Sequence, residues 1–176
     1  MTYPPPPPNE DGEEIPGDTF EGNLNNGARE GKGKYVWSNG CSYDGHYKEN
    51  RRNGQGVLSL PNGVKYEGTF VDDQFSGEGA YTYSSGDMYM GSWKTGKKDG
   101  EGSYYFKASE CQLVGVWKDN EFVTGKWVFS DGSMFEGNFE KSMPKGHGLF
   151  KFTGSGLCQS GDYIDGKWRG TETYVS

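Results

Sequence analysis

Apolar and polar residues alternate along the chain in short blocks that return at a fixed interval. Tyr43-Asp44-Gly45-His46-Tyr47 comes back as Tyr66-Glu67-Gly68-Thr69-Phe70. With the opening aromatic as position 1, the blocks begin at Phe20, Tyr43, Tyr66 and Tyr89, each 23 residues after the last, and then at Leu113 and Phe135. Position 3 is glycine throughout (Gly22, Gly45, Gly68, Gly91, Gly115, Gly137, Gly161), and position 5 is Leu24, Tyr47, Phe70, Trp93, Trp117, Phe139 and Tyr163. A G-x-G pair follows at 31/33, 54/56, 77/79, 100/102 and 146/148. Alternating apolar residues come after it: Tyr35 and Trp37, Leu58 and Leu60, Tyr81 and Tyr83, Tyr104 and Phe106, Trp127 and Phe129, Phe150 and Phe152. Most repeats close on a glycine (Gly40, Gly63, Gly86, Gly132).

Period-2 alternation places positions 1, 3 and 5 on one face of a strand and positions 14, 16 and 18 on the same face of the next. Gly or Asn near position 8 supplies turn chemistry between them. The unit is therefore a β-hairpin, aromatic on one face and polar on the other. Glycine at positions 3 and 14 lets a neighbouring ring lie over bare backbone. Most of the chain's aromatic residues fall in these four inward columns, so they belong to the architecture.

One hairpin is marginal alone, and stacked hairpins share a continuous apolar face. The pattern predicts an all-β chain: an elongated, single-layer antiparallel meander of about six full repeats and a partial cap. Strands about 4.8 Å apart would make it roughly 60–70 Å long, with twist rolling the aromatic face into a groove. The expected organisation is a Pro-rich acidic leader over 1–17, a repeat array over 18–168 and a C-terminal tail over 169–176. The fifth repeat lacks the first glycine of its pair (Phe122-Val123-Thr124-Gly125), and the seventh opens without an aromatic at Cys158-Gln159 and stops early.

Composition changes this picture little. The 176 residues carry a net charge of −7, 31% hydrophobic residues and a mean hydropathy of −0.90. A single layer tolerates so small an apolar fraction because glycine and rings replace aliphatic residues. No run approaches the 18–20 apolar residues of a membrane span, and the N-terminus lacks the features of a secretory signal. The three cysteines (Cys41, Cys111, Cys158) are widely spaced and read as reduced thiols with no metal-ligand pattern. Pro4 to Pro8 should form a short polyproline II rod, a ligand for a proline-binding module or a solvated leader.

Catalytic signatures are missing. The G-x-G pairs recur at a structural period and open strands, so they are not phosphate cradles. The two histidines, His46 and His147, have no nucleophile or ligand partner nearby in the pattern. Carboxylates such as Glu21 and Glu67 repeat in register, which a paired acid–base site would not do. The expectation is a non-enzymatic chain with no cofactor and no metal.

The motif at 88–102, Met-Tyr-Met-Gly-Ser-Trp-Lys-Thr-Gly-Lys-Lys-Asp-Gly-Glu-Gly, resembles the MORN repeat, and the resemblance covers about 18–168. It implies a scaffold or a membrane tether, or the targeting segment of a larger enzyme. Basic residues Arg29, Arg51, Arg52, Lys97 and Lys98 fall at equivalent hairpin tips and could line a rim facing anionic lipid. The acidic position-2 column and the net charge argue against a tight membrane or phosphoinositide contact, and the same balance disfavours nucleic acid.

An open aromatic groove would instead take a protein. The residues expected to form it are Tyr43, Tyr47, Tyr66 and Phe70 in the second and third repeats. Tyr81, Tyr83, Tyr89 and Trp93 continue it, and Tyr104, Phe106 and Trp117 complete it. Phe70 and Trp93 are expected to line the open groove, with Gly68 and Gly91 beside them leaving room for a ligand. The acidic leader at 9–33 and the irregular ending at 135–163, with Pro144 in a hairpin loop, further resemble the MORN subunits of axonemal radial spoke heads. That resemblance implies a place in the cilium or flagellum axoneme and, as partners, other spoke-head subunits or a second copy of the chain.

Overall fold

The computed structural model describes residues 17–175. The proline run and most of the acidic leader lie outside the described residues. Among those described there is no helix, and fourteen strands follow one another in chain order as an antiparallel meander. They fall into two compact units that meet in sequence at Ser84 and Ser85.

The first unit holds β1 (Thr19–Asn25), β2 (Ala28–Val36), β3 (Ser42–Lys48), β4 (Arg51–Ser59), β5 (Lys65–Val71) and β6 (Gln74–Thr82). The second holds β7 (Met88–Lys94), β8 (Lys97–Phe106), β9 (Cys111–Lys118), β10 (Glu121–Val128), β11 (Met134–Glu140), β12 (Met143–Lys151), β13 (Leu157–Ile164) and β14 (Lys167–Val175). The all-β meander of hairpins predicted from the repeat is the fold observed. Residues 169–175, read from sequence as a tail behind a truncated repeat, are strand residues of β14: Leu157 pairs with Val175 and Tyr163 with Trp168. The alternation in β14 is carried by polar residues (Arg169, Thr171, Thr173), which is why the hydrophobic pattern does not reveal it.

Each hairpin turns on two residues with positive φ: Asn26-Gly27, Glu49-Asn50, Asp72-Asp73, Thr95-Gly96, Asp119-Asn120, Lys141-Ser142 and Asp165-Gly166. Both central residues in the left-handed region is the type I′ geometry, whose twist matches that of the flanking strands. The two glycines of the G-x-G pair do different work. The first (Gly54 at φ 103°, Gly77 at 62°, Gly100 at 115°) accommodates a bulge that shifts the register between positions 3 and 5. Where the fifth repeat has Val123, the irregularity falls between Phe122 and Thr124. The second glycine lies directly across from the position-3 glycine, as in Gly45–Gly56 and Gly68–Gly79.

That glycine pair is a floor for a ring. Tyr43 lies over Gly45 and Gly56 so closely that a Cβ on Gly56 would stand 2.5 Å from Tyr43 Cε2. The ring runs along its own strand, and its hydroxyl donates to the carbonyl of His46 at 3.0 Å. Tyr66 and Tyr89 repeat the arrangement on Thr69 and Ser92, each at 3.0 Å. The seventh hairpin has no ring at this position. Gln159 packs there instead, against Gly170, and accepts a hydrogen bond from Trp168 Nε1 at 2.7 Å.

Candidate interaction surface

The ring face divides into a covered row and a half-buried row. From the second to the sixth repeat positions 1 and 5 are covered: Tyr43, Tyr47, Tyr66, Phe70, Tyr89, Trp93 and Trp117 are all buried, whereas Leu24 in the first repeat is exposed. They meet edge to face within a repeat, as Tyr43–Tyr47 and Tyr66–Phe70 do at 5.1 Å. They also meet between repeats: the position-5 ring of one hairpin abuts the position-1 ring of the hairpin before it (Phe20–Tyr47, Tyr43–Phe70, Tyr89–Trp117, Phe135–Tyr163). Edge-to-face contact is a favoured arrangement of two ring quadrupoles.

The expectation that Phe70 and Trp93 line an open groove is therefore corrected. Phe70 is 0% and Trp93 6% exposed. The space over Gly68 is filled by Tyr66 and that over Gly91 by Tyr89, so these glycines admit a ring of the chain itself rather than a ligand.

Positions 16 and 18 form the half-buried row. In the first unit it holds Tyr35 and Trp37, then Tyr81 and Tyr83; in the second, Tyr104 and Phe106, then Trp127 and Phe129. Each pair leans together at 4.6–4.8 Å between centroids. Of the residues expected to contact a partner, Tyr81, Tyr83, Tyr104 and Phe106 are the ones left partly open. Asp18 and Asp87 clamp the row from the strand before: Asp18 accepts from Tyr35 Oη and the Ser38 N–H, both at 2.9 Å, and Asp87 from Tyr104 Oη at 3.1 Å and the Lys107 N–H at 2.9 Å. The Lys107 N–H holds the Asp87 carboxyl below its usual range.

Position 10 varies in chemistry (Arg29, Arg52, Phe75, Lys98, Phe122, Pro144, Trp168), and the sequence pattern places only its cations, Arg29, Arg52 and Lys98, as basic hairpin tips. Its role is constant in most repeats, where the side chain lies against the covered rings. Arg29 sits 5.0 Å from the centroids of Tyr35 and Tyr47, Arg52 5.2 Å from Phe70, and Phe75 stacks on Tyr66 at 3.8 Å. An amide–carbonyl exchange locks this residue to the turn one repeat on. The Arg52 N–H donates to Asp73 Oδ1 and the Asp73 N–H to the Arg52 carbonyl, both at 3.0 Å. Arg29 with Asn50 and Lys98 with Asn120 do the same. The signal in the sequence was position 8, where Asn was read only as turn chemistry and Asp73 of the third repeat was not read at all.

The basic tips accordingly do not form an open cationic rim. Arg29 and Lys98 lie on rings. Arg52 pairs with Asp73 at 2.9 Å, Arg51 with Asp72 at 3.6 Å, and Lys97 with Asp119 at 2.9 Å. The neutralising partners are the next turn's aspartates, not the position-2 acidic column. Of that column, Glu67 pairs with Lys65 and Glu136 with Lys151.

No curated protein matches the chain. The model of the MORN repeat matches residues 20–42, 43–65, 66–88, 89–108 and 135–157, more than half of the sequence. The matches skip the fifth hairpin, with Leu113 at position 1 and Val123 in its glycine pair, and end before most of the seventh, which has Gln159 at position 1. On these five stretches the chain belongs to the MORN repeat family.

Proposed function

We propose that the chain is a non-enzymatic scaffold whose partner surface is the half-buried ring row, working as a MORN subunit of the axonemal radial spoke head in motile cilia or flagella. MORN arrays are interaction modules for proteins or membranes, and the choice between the two rests here on one observation. Each unit leaves part of its own half-buried rings open, Tyr81 and Tyr83 in the first and Tyr104 and Phe106 in the second, while the basic tips are occupied by rings and aspartates. Tyrosine and phenylalanine in that setting are the side chains interfaces favour. Support for the spoke head comes from the irregularities of the sequence, which resemble radial spoke head protein 1 and its paralogue radial spoke protein 10: an acidic leader before the first box, and Pro144 with the Cys158-Gln159 opening of the last.

The test is fractionation of ciliated cells carrying the tagged chain. The expected result is retention in detergent-extracted axonemes and loss of retention in a Tyr83→Ala/Phe106→Ala variant that still melts cooperatively. Recovery with membranes, or retention of the variant, would overturn the reading.

A further inference from the structure

Like Arg29, which meets Asn50, Lys98 meets a neutral residue at the next turn, but the Arg29 guanidinium donates to the Asn50 carbonyl at 2.9 Å, and among the described residues the Lys98 ammonium makes no such bond. That ammonium lies 4.3 Å from the centroid of Trp117, 4.9 Å from Tyr104 and 5.5 Å from Tyr89. Trp117 and Tyr89 are buried, and the Trp117 indole N–H is committed to the Gly102 carbonyl at 3.2 Å. Ring faces attract a cation, but among the described residues no carboxylate reaches this one. The neighbouring acids are taken: Asp119 by Lys97 at 2.9 Å, and Asp99 by Lys118 at 3.1 Å. The equivalent cation of the second repeat, Arg52, is matched by Asp73. At the corresponding turn the fourth repeat's neighbour supplies Asn120, whose side-chain oxygen accepts the Lys98 backbone N–H at 2.9 Å and brings no charge. Burial alone draws the Lys98 pKa down to about 8, the cost of a half-desolvated cation without an anion.

We infer that Lys98, with Trp117, Tyr89 and Tyr104, is an anchor for a single Asp or Glu side chain of a partner polypeptide whose apolar neighbours lie on Tyr104 and Phe106. The inference rests on the reading of the half-buried row as a protein-binding surface and adds to it the chemistry of the residue recognised. A carboxylate entering the cage would make a charge-assisted hydrogen bond in a partly desolvated place, where it is stronger than at an open surface. A lipid phosphate is the less fitting anion. Lys98 lies on the ring face rather than at a tip, its flanking charges cancel in pairs, and the chain as a whole is acidic.

The experiment uses the full chain and two capped peptides of alternating leucine and glycine, one with a single central Glu and one with Gln in its place, followed by NMR of the lysine Cε resonances. The Glu peptide should bind about tenfold more tightly than the Gln peptide, move the Lys98 signal and raise its titration midpoint. Lys98→Met should bind both peptides equally. Asn120→Asp, which supplies from within the carboxylate that Asp73 gives to Arg52, should erase the Glu preference with the fold intact. A Glu preference that survives in Lys98→Met overturns the anchor and leaves the ring surface standing. Failure of the parent to bind either peptide overturns both. Anionic phosphatidylserine vesicles bound by the parent and lost in Lys98→Met would overturn the peptide assignment in favour of lipid.

Discussion

Tyr43 and Phe70, from successive repeats, meet edge to face with ring centroids 5.1 Å apart and planes at 84°. Phe70 also touches Tyr66, the ring on its own strand, and Phe75 across the hairpin. One side chain therefore joins two hairpins that hydrogen bonds alone would hold as a thin ribbon. Phe70→Ala removes all three ring contacts from a fully buried position and should cost about 3–5 kcal/mol. Tyr83→Ala, in the half-buried row, should cost distinctly less. Urea unfolding followed by circular dichroism compares them, and equal costs would mean that the division into covered and open rows has no energetic meaning.

The glycine floor makes a sharper demand. A methyl group on Gly56 would have to displace Tyr43, whose hydroxyl is tied to the His46 carbonyl. Gly56→Ala should destabilise by about 1–3 kcal/mol, as overpacking does. Gly96, at φ 78° with nothing near its missing side chain, is strained by alanine through backbone conformation instead, by about 1–2 kcal/mol. The two mechanisms separate in a double-mutant cycle. In a Tyr43→Ala background the Gly56→Ala cost should shrink, and the Gly96→Ala cost should not.

How far the sequence carried this account depends on what repeats and what varies. The hairpin, the in-facing columns and the ring over bare glycine were legible because Tyr43, Gly45 and Gly56 return in register four times or more. Which rings end up covered was not legible. Positions 1, 5, 16 and 18 are mostly aromatic and share one face, and only the edge-to-face bridging of Tyr43 to Phe70 decides that position 5 is sealed. Position 10 was misread for the opposite reason. Arg52 and Lys98 read as basic tips while Phe75 and Phe122 share none of that chemistry, and a common task appears only once the rings beneath them are placed. The tips misled in the same way: Arg51 and Lys97 read as a basic rim until Asp72 and Asp119, one repeat further on, are seen beside them.

Membrane affinity follows from that pairing. The cations at the tips are matched by the next turn's aspartates, and at about 0.15 M salt the Debye length is about 8 Å, so little field extends outward. Cosedimentation with anionic liposomes should show weak binding. Tight binding that disappears in an Arg51→Glu/Lys97→Glu variant would refute this and favour a tether.

The covered tyrosines set the alkaline limit. Burial pushes Tyr66 up to about 12, and it raises Tyr47 to about 12 as well, although Arg29 and Arg52 beside Tyr47 oppose the shift. A phenol whose folded pKa lies above its unfolded value of about 10 contributes stability that is full below pH 10 and lost as the pH rises through the folded value. The fold should therefore survive to about pH 11, with the phenolate absorbance of these tyrosines appearing together with unfolding. Tyrosines that titrate near pH 10 in the folded protein would contradict their burial.

Asp87 sets the acid limit by the opposite sign. The Lys107 N–H, joined by the Ser85 and Tyr104 hydroxyls, holds its carboxyl below the usual value, and at the equivalent place Asp18 is held down by the Ser38 N–H and the Tyr35 hydroxyl. A carboxyl with a lowered folded pKa contributes stability that is present above the unfolded value, about 3.9, and is lost as the pH falls through the folded one. Both groups remain partly open to solvent, so the contribution of each is modest, but they act on the half-buried ring row rather than on the covered one. Melting temperature should be flat from pH 7 to about 5 and fall below about pH 4. Asp87→Asn keeps one oxygen to accept the Lys107 N–H, turns its amide NH2 toward the Tyr104 oxygen and removes the titration, so its melting curve should depend less steeply on pH over the acid range. If the variant falls as steeply as the parent, the clamp on Tyr104 is not electrostatic, and the acid sensitivity belongs to the tip pairs Arg52–Asp73 and Lys97–Asp119 instead.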